Sequence, residues 1–206
     1  MQLIVITGKE KFHSEIPVII ELFRAGLKTL HVRKPKFSTE KLTEYIEAIP
    51  EQYHNRIIIH THHKLALKFK LKGIHLSKHH RNSPLKLFLK LNYYKMRKPS
   101  IFISRSFHQV ETMGCNKKKF HYAFLNPFFS RVDLQKNSFD INPNYLGKMI
   151  AACECPVYAS GNITLDNYKH LKNMNLAGFA LSKSFFAYKG DKAELFKSIS
   201  EEIKNW

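Results

Sequence analysis

Short apolar runs alternate with longer amphipathic segments along the whole chain, and this alternation limits the possible folds more than any other feature. Because each predicted strand is followed by a helical pattern, the strands should be parallel and joined by right-handed crossovers. Eight such units predict an α/β fold, a TIM (β/α)₈ barrel that forms a single domain over residues 1–206. The predicted strands are Leu3–Thr7, Thr29–Val32, Arg56–His60, Gly73–Leu76, Ile101–Ser104, His121–Leu125, Pro156–Ser160 and Gly178–Leu181.

The helical segments carry the expected capping and periodic signals. Ser14–Ala25 places apolar residues at helical spacing behind an N-cap serine. Further helices are predicted to open at Ser38-Thr39-Glu40 and to cover Leu165–Met174 and Ala193–Trp206. The alternative, an open doubly wound sheet, would place a glycine-rich phosphate turn after an early strand. Thr7-Gly8-Lys9 is not such a turn, so the closed barrel is favoured.

The charge balance indicates anionic ligands. Lysine and arginine number 34 against 16 acidic residues, which leaves a formal charge of +18. A field of this sign attracts nucleic acid or phosphorylated metabolites. The lysines are spread over most segments, and Lys117–Lys119 is the only dense tract. The predicted partners are therefore phosphorylated small molecules rather than nucleic acid. No apolar run approaches the roughly 18 residues of a membrane span, so no membrane is predicted as a partner.

Cysteine usage and the N-terminus bear on the compartment. The chain has three scattered cysteines, Cys115, Cys153 and Cys155. An odd number argues against a disulfide framework and favours buried thiols. The first residues show no basic segment before their apolar stretch, as a secretory leader would. A reducing cytoplasm is the predicted location. A homo-oligomer is compatible with the sequence but is not specified by it.

Basic and imidazole side chains follow the predicted strands. In a barrel of this kind, ligands bind in the loops after the carboxyl ends of the strands. Eight histidines and four arginines fall there, which predicts an anion-binding mouth. They are His31, Arg33, His60, His62, His63, His75, His79, His80, Arg81, Arg105, His108 and Arg131.

Two loops have the composition of phosphate sites. Ser160-Gly161-Asn162 follows the seventh strand, and Ser182-Lys183-Ser184 follows the eighth. Barrels often bind phosphate in these loops through backbone N–H groups and small side chains. Gly161 could instead serve only a tight turn. The matching serine-rich loop beside it favours the phosphate interpretation.

Eight segments in order resemble thiamine phosphate synthases and their thiazole tautomerase relatives over nearly the whole chain. Among them, Gly73–Leu76 matches the Gly-Val-His-Leu motif of that family, and Ser106–His108 matches Ser-x-His. The other matching segments are Leu3–Thr7, Leu30–Lys34, Arg56–Thr61, Pro127–Phe129, Pro156–Ile163 and Gly178–Leu181.

The resemblance implies that a hydroxymethylpyrimidine pyrophosphate loses pyrophosphate while a thiazole phosphate nitrogen takes the resulting carbon. It also implies Mg²⁺ as cofactor. Arg33 would hold the pyrophosphate, Ser106 would support it or the pyrimidine, and Gly161 would help to hold the thiazole phosphate. The catalytic candidates are Arg33, Ser106, His31 and His60. The substrate-binding candidates are Lys34, His80, His108, Asn126, Arg131, Gly161, Asn162, Ser182 and Ser184.

Several family positions are replaced here. The two metal-binding aspartates fall on Thr61 and on His79 or His80, and none of these offers the carboxylate that Mg²⁺ prefers. No metal site is therefore predicted. The pyrimidine-binding glutamine and asparagine of the family fall on His31 and His60.

Three functions remain open. An active synthase would have replaced the metal with fixed positive charge. A thiazole tautomerase-like isomerase would need a histidine base, although the histidine of the tautomerase branch falls near Pro127. A degenerate barrel would bind a phosphorylated ligand without turnover. A zinc site among His60, His62, His63, His79 and His80 is disfavoured, because no carboxylate or cysteine lies nearby and His62 and His63 should begin a helix.

Overall fold

The computed structural model describes residues 1–8, 15–77, 84–109, 120–129 and 143–206. Its eight parallel strands form a closed barrel in chain order, which confirms the predicted fold. The last strand pairs with the first, in a register that places Gly178 beside Gln2. The strands are β1 (Gln2–Ile6), β2 (Leu30–Val32), β3 (Ile57–Ile59), β4 (Gly73–Leu76), β5 (Phe102–Phe107), β6 (Tyr122–Leu125), β7 (Val157–Ala159) and β8 (Gly178–Leu181).

Helices cover the outside of the barrel. Ser38 caps the second helix, as predicted, by accepting a hydrogen bond from the backbone N–H of Lys41. No helix in the described part of the chain is long and apolar enough to cross a membrane. The α-helices are α1 (Glu15–Arg24), α2 (Thr39–Glu47), α3 (Leu65–Lys68), α4 (Pro84–Arg97), α5 (Pro143–Ala151), α6 (Lys183–Ala187) and α7 (Lys192–Glu202); 3₁₀ segments cover Glu51–Arg56, Tyr168–Leu171 and Ile203–Asn205.

Two helix predictions are wrong. Only the 3₁₀ segment Tyr168–Leu171 forms within Leu165–Met174. The Asn167 side chain accepts from the Thr164 N–H and donates to the Asn162 carbonyl, and such local bonds compete with helical pairing. His62 has a φ of 49°, so α3 begins only at Leu65. The predicted N-cap Ser14 lies outside the described residues.

The strands send alternate side chains inward and outward, as the two-residue period requires. Outward residues such as Val5, Ile59 and Phe179 pack against the helices in the main core. Inward residues such as Ile6, Ile58 and Phe124 form a second apolar cluster inside the barrel. Polar inward residues lie beside this inner cluster and lead to the mouth. Those buried there include His31, His60, His75, Ser104 and Ser160.

The cysteines differ from the prediction of thiols. Cys153 remains a thiol, which donates to the Met149 carbonyl at 3.4 Å, but Cys155 is disulfide-bonded. One disulfide is not a framework, yet it removes cysteine usage as an argument for a reducing compartment.

Candidate functional site

A cavity of about 700 Å³ opens at the carboxyl ends of the strands, where a barrel of this type binds its ligands. Residues from several different strand ends line it, so its shape depends on the closed barrel. Nine of the site residues proposed from sequence line its wall: Arg33, His60, Ser106, His108, Asn126, Gly161, Asn162, Ser182 and Ser184.

One part of the wall consists of Ser160–Thr164 after β7 and Ser182–Ser184 after β8, here called the serine arc. Gly161 has a φ of 86°, a conformation that favours glycine. A Cβ at Gly161 would lie 2.5 Å from the Asn126 side-chain oxygen and 2.9 Å from the Cα of Pro127. The Phe128 N–H also donates to the Ser160 carbonyl at 2.8 Å. The loop after β7 is therefore packed closely on the loop after β6.

Side-chain hydrogen bonds fix the rest of the serine arc. Asn162 donates to the Phe129 carbonyl at 2.8 Å, and Ser184 donates to the Ile163 carbonyl at 3.3 Å. The first bond joins the arc to the loop after β6, and the second joins its two loops to each other. The arc therefore keeps its shape without a ligand, and its small side chains leave space for an anion.

Large imidazole rings, in contrast, lie near the ends of β2, β3 and β4. His31, His60 and His75 form the group here called the histidine cluster. Nδ1 of His31 lies 2.9 Å from Nε2 of His60, and the His60 and His75 rings stack with centroids 4.2 Å apart. Nε2 of His31 is hydrogen-bonded to the Tyr122 hydroxyl. His60 and His75 line the cavity, and His31 lies behind them.

Burial disfavours the charged form of two histidines of the cluster, His31 and His60. Burial lowers the pKa of His31 well below its usual value, and the neighbouring His75 and Lys72 lower it further. Burial likewise lowers the pKa of His60, and electrostatic interactions with His75, His31, Arg33 and His63 lower it further. Since the charged form is disfavoured at both sites, each imidazole retains a nitrogen lone pair at neutral pH.

Serine hydroxyls hold the third ring. Nδ1 of His75 lies 2.9 Å from the Ser104 Oγ, and Nε2 lies 3.0 Å from the Ser106 Oγ. Ser104 and Ser106 both point inward from β5, so this strand fixes the orientation of His75. Ser106 also lines the cavity and can therefore contact both the ring and a ligand.

Among the described residues, the cationic side chains that line the cavity are Arg33 and Lys183. Arg33 directly follows β2, and its backbone N–H donates to the Thr7 hydroxyl at 2.9 Å. Lys183 belongs to the serine arc. Within the described ranges no aspartate or glutamate lines the cavity. The wall therefore favours an anionic ligand.

Comparison with known proteins assigns the family. The family model for thiamine monophosphate synthase matches residues 3–185, which is most of the chain. The chain belongs to this family. The resemblance found in the sequence motifs is thus confirmed. No curated protein matches the sequence.

Solved structures agree with this assignment. A thiamine phosphate pyrophosphorylase from Bacteroides thetaiotaomicron is 26% identical, with a TM-score of 0.72 over 99% of this chain and 98% of its own. A thiamine phosphate pyrophosphorylase from Pyrococcus furiosus is 20% identical, with a TM-score of 0.74 over 98% of this chain and 96% of its own. A geranylgeranylglyceryl phosphate synthase from Thermoplasma acidophilum, at 15% identity and a TM-score of 0.64 over 99% and 93%, shares the barrel fold.

Lys34, a substrate-binding candidate of this family member, lies away from the cavity. Its ammonium group forms a 2.7 Å ion pair with Glu15, and both side chains are completely buried. The Tyr45 hydroxyl donates to the same carboxylate oxygen at 2.7 Å. Lys34 therefore has no exposed surface for a substrate, and its observed contacts connect β2 to α1 and α2.

The basic residues gather at the mouth less completely than the sequence suggested. Arg105 stacks on Phe107 and Phe120 and does not line the cavity. His62 bonds to the Phe37 carbonyl, and His63 bonds to carbonyls of the cluster histidines. The candidates His80 and Arg131, together with His79 and Arg81, lie outside the described residues.

The structure adds cavity residues that were not among the catalytic or substrate-binding candidates, although His75 and Lys183 lie in loops predicted to form the mouth. His75 and Ser77 come from the end of β4, Lys183 from the serine arc, and Phe124 and Ile6 supply apolar surface. The alternation of inward and outward side chains along a strand could have identified His75, because His75 points inward as Ile6 and His31 do. No sequence signal distinguished Phe124 from an ordinary core residue.

The residues present do not fit Mg²⁺, the cofactor that the family resemblance implies. Mg²⁺ binds oxygen ligands, usually carboxylates, and the described cavity wall contains none. Thr61, at the position of a family aspartate, offers a single hydroxyl oxygen, which is buried without a hydrogen-bond partner. Imidazole nitrogens are poor ligands for this ion.

Proposed function

We propose that the protein is a thiamine phosphate synthase-like transferase that joins hydroxymethylpyrimidine pyrophosphate to thiazole phosphate. In this reaction the bond between the pyrimidine methylene carbon and the pyrophosphate oxygen breaks, and pyrophosphate leaves with the electron pair. The thiazole nitrogen then forms the new bond to that carbon. Family membership supports the reaction class, and the cavity supports two anionic substrates.

The observation that carries the proposal is the presence of two different anion-suited regions on one cavity wall. Arg33 and Ser106 come from the ends of β2 and β5, whereas the serine arc follows β7 and β8. One region suits the pyrophosphate and the other suits the phosphate of the thiazole. A single small anion would need only one of them.

Arg33 has the central role in this proposal. Bond cleavage places growing negative charge on the leaving pyrophosphate, and a fixed cation facing that charge lowers the barrier. Arg33 provides this cation, and Ser106 can donate a hydrogen bond beside it. Phe124 and Ile6 offer apolar surface on which an aromatic ring can pack. In this arrangement positive charge of the protein replaces part of the role of a metal.

A product assay tests the proposal. Purified protein is mixed with both precursors, and thiamine phosphate is measured over a series of Mg²⁺ and EDTA concentrations. We expect product whose rate depends only mildly on Mg²⁺, which enters mainly as a partner of the substrate pyrophosphate. No product under any condition would refute the transferase. Turnover that EDTA abolishes and only Mg²⁺ restores would contradict the non-metal arrangement and direct attention to Asp133 and Asp140, outside the described residues.

A second candidate is a thiazole tautomerase-like isomerase. The observation in its favour is that His60, a neutral imidazole, and His75 line the cavity, where a neutral imidazole can act as a general base. Such an enzyme needs one phosphorylated substrate, bound at the serine arc, and no metal. Incubating the thiazole phosphate alone in D₂O and following deuterium uptake by NMR separates this function from transfer.

A binding barrel without turnover remains the third candidate. Its phosphate site would be the serine arc, whose shape is fixed by Gly161 and Asn162. Crystals soaked in sulfate or thiazole phosphate should show an anion near Gly161 and Ser182–Ser184. Density for the anion only elsewhere would remove the serine arc from all three functions.

A further inference from the structure

The histidine cluster brings three imidazoles together inside the barrel. One ring nitrogen from each of His31, His60 and His75 can be chosen so that all three lie within 4.8 Å of one another. A tetrahedral zinc ion binds imidazole at about 2.0–2.1 Å, so the rings would rotate and their nitrogens would move closer together to bind one ion. These three residues come from adjacent strands β2, β3 and β4, whose pairing fixes their spacing.

The chemical state of the rings suits a metal. All three imidazoles are buried, and each offers a ring nitrogen as a possible ligand. The set offers nitrogen ligands without any carboxylate. Neutral imidazoles favour Zn²⁺ and neighbouring first-row transition ions, and they disfavour Mg²⁺ and Ca²⁺.

Outer hydrogen bonds orient the rings as metal ligands require. The Tyr122 hydroxyl holds Nε2 of His31, which directs Nδ1 toward His60. Ser104 holds Nδ1 of His75, and Nε2 of that ring contacts the Ser106 hydroxyl. Ser106 would exchange this contact for a place beside the ion. Since His60 and His75 line the cavity, an ion can enter from it and keep one position open toward it.

We propose that His31, His60 and His75 form a binding site for a divalent transition ion of the zinc class, with one coordination position facing the cavity. Catalytic zinc sites commonly combine three protein ligands with one open position. This inference rests on the cluster alone and does not depend on the transferase reaction. It also accounts for the replacement of asparagine and glutamine positions by histidine in a family member whose wall does not fit Mg²⁺.

Cobalt spectroscopy tests the site without any activity measurement. Protein freed of its purification tag and of metal is titrated with Co²⁺ at neutral pH. The first equivalent should give the strong visible bands of a four- or five-coordinate ion. Zn²⁺ should remove these bands, and Mg²⁺ should not. The weak spectrum of six-coordinate Co²⁺ alone would overturn the proposal.

Variants connect the bands to the cluster. His60→Ala and His75→Ala should abolish them, and His170→Ala, which removes an exposed imidazole, should retain them. Thermal melting followed by circular dichroism shows that each variant is folded. Tyr122→Phe keeps all three rings and removes only the hydroxyl on His31, so it should lower Zn²⁺ affinity about 10- to 100-fold. Bands that persist in folded His60→Ala and His75→Ala, or unchanged affinity in Tyr122→Phe, would refute the assignment.

Discussion

The serine arc and the histidine cluster face the same cavity but reach their final geometry in different ways. In the arc, Asn162 and Ser184 donate to neighbouring backbone carbonyls, and the small side chains leave room beside the loop. In the cluster, large rings bond to one another and to Tyr122, Ser104 and Ser106 inside the barrel. The arc leaves space beside it for an anion. The cluster residues instead use their hydrogen-bonding groups on one another and on neighbouring hydroxyls.

This difference indicates which part of the family site has been preserved. The serine arc keeps the pattern that the family resemblance assigns to phosphate, whereas the cluster contains histidine where the family has glutamine and asparagine. Replacing amides with neutral imidazoles changes the hydrogen-bonding pattern and the pH range over which the site is stable.

The largest expected effect concerns Lys34, which the resemblance assigns to the substrate and the structure pairs with Glu15. Lys34→Met leaves the Glu15 carboxylate buried without its counter-ion and should lower the free energy of unfolding by about 3–5 kcal/mol. The double variant Glu15→Gln/Lys34→Met should recover much of this loss. Urea denaturation provides the measurement.

The matched control for Lys34 is Lys68→Met, which breaks an exposed pair with Glu47 and should change stability little. If Lys34 were instead a substrate ligand, Lys34→Met would reduce pyrophosphate affinity while leaving the denaturation midpoint unchanged. That result would place Lys34 in the cavity.

Protonation of the histidine cluster should destabilise the metal-free protein. The pKa values of His31 and His60 lie below the roughly 6.5 expected in the unfolded chain, so the unfolded state binds more protons at mildly acidic pH. Stability is therefore complete above about pH 6.5 and falls as pH decreases below it. For two histidines the loss between about pH 6.5 and 5 is at most about 3 kcal/mol.

The comparison variant is His31→Gln/His60→Asn, which installs the residue types of the family resemblance. Its free energy of unfolding, measured by urea denaturation at each pH, should vary much less steeply below about pH 6.5. His170→Asn, on the surface, should behave as the parent protein does. An equally steep profile in the double variant would show that other groups cause the acid sensitivity.

The sequence predicted the barrel because its evidence is local and repeated. Gly73–Leu76 and Gly178–Leu181 were predicted with the observed bounds, since each is a short apolar run beginning at a glycine that neighbouring backbone approaches closely. The Leu165–Met174 helix was wrong because Asn167 forms competing hydrogen bonds that periodicity does not reveal. Apolar spacing alone could not distinguish a full helix from a 3₁₀ segment.

The candidate site was predictable only in outline. Position after a strand identified Arg33 and the serine arc, because in a barrel every such loop opens on the same end. The same rule wrongly suggested Arg105 for the mouth, since Arg105 lies on the outward face of β5 and stacks on aromatic rings. Contacts among His31, His60 and His75 depend on the register in which β2, β3 and β4 pair. This register could not be predicted from the sequence.

Anion affinity distinguishes Arg33 from the serine arc. Arg33→Ala removes a charged donor from the wall and should weaken pyrophosphate binding by about 1.5–3 kcal/mol, as expected for a hydrogen bond to a charged group. Titration calorimetry with inorganic pyrophosphate measures it. Arg24→Ala, which removes an exposed arginine from α1, should leave the affinity as it is. Unchanged affinity in Arg33→Ala would remove this residue from the site.

The smallest expected effect tests whether the serine arc depends on close backbone packing. Gly161 and Gly26 both have positive φ, 86° and 102°, but only Gly161 has neighbours within 4 Å of an added Cβ. Alanine at Gly26 therefore introduces backbone strain alone, whereas alanine at Gly161 adds a clash with Asn126 and Pro127. The free energy of unfolding should fall by about 1–3 kcal/mol more in Gly161→Ala than in Gly26→Ala, and calorimetry should show weaker phosphate binding in Gly161→Ala alone. Equal losses in the two variants would mean that the loops after β6 and β7 can separate without cost, and the serine arc would then not be a preformed anion site.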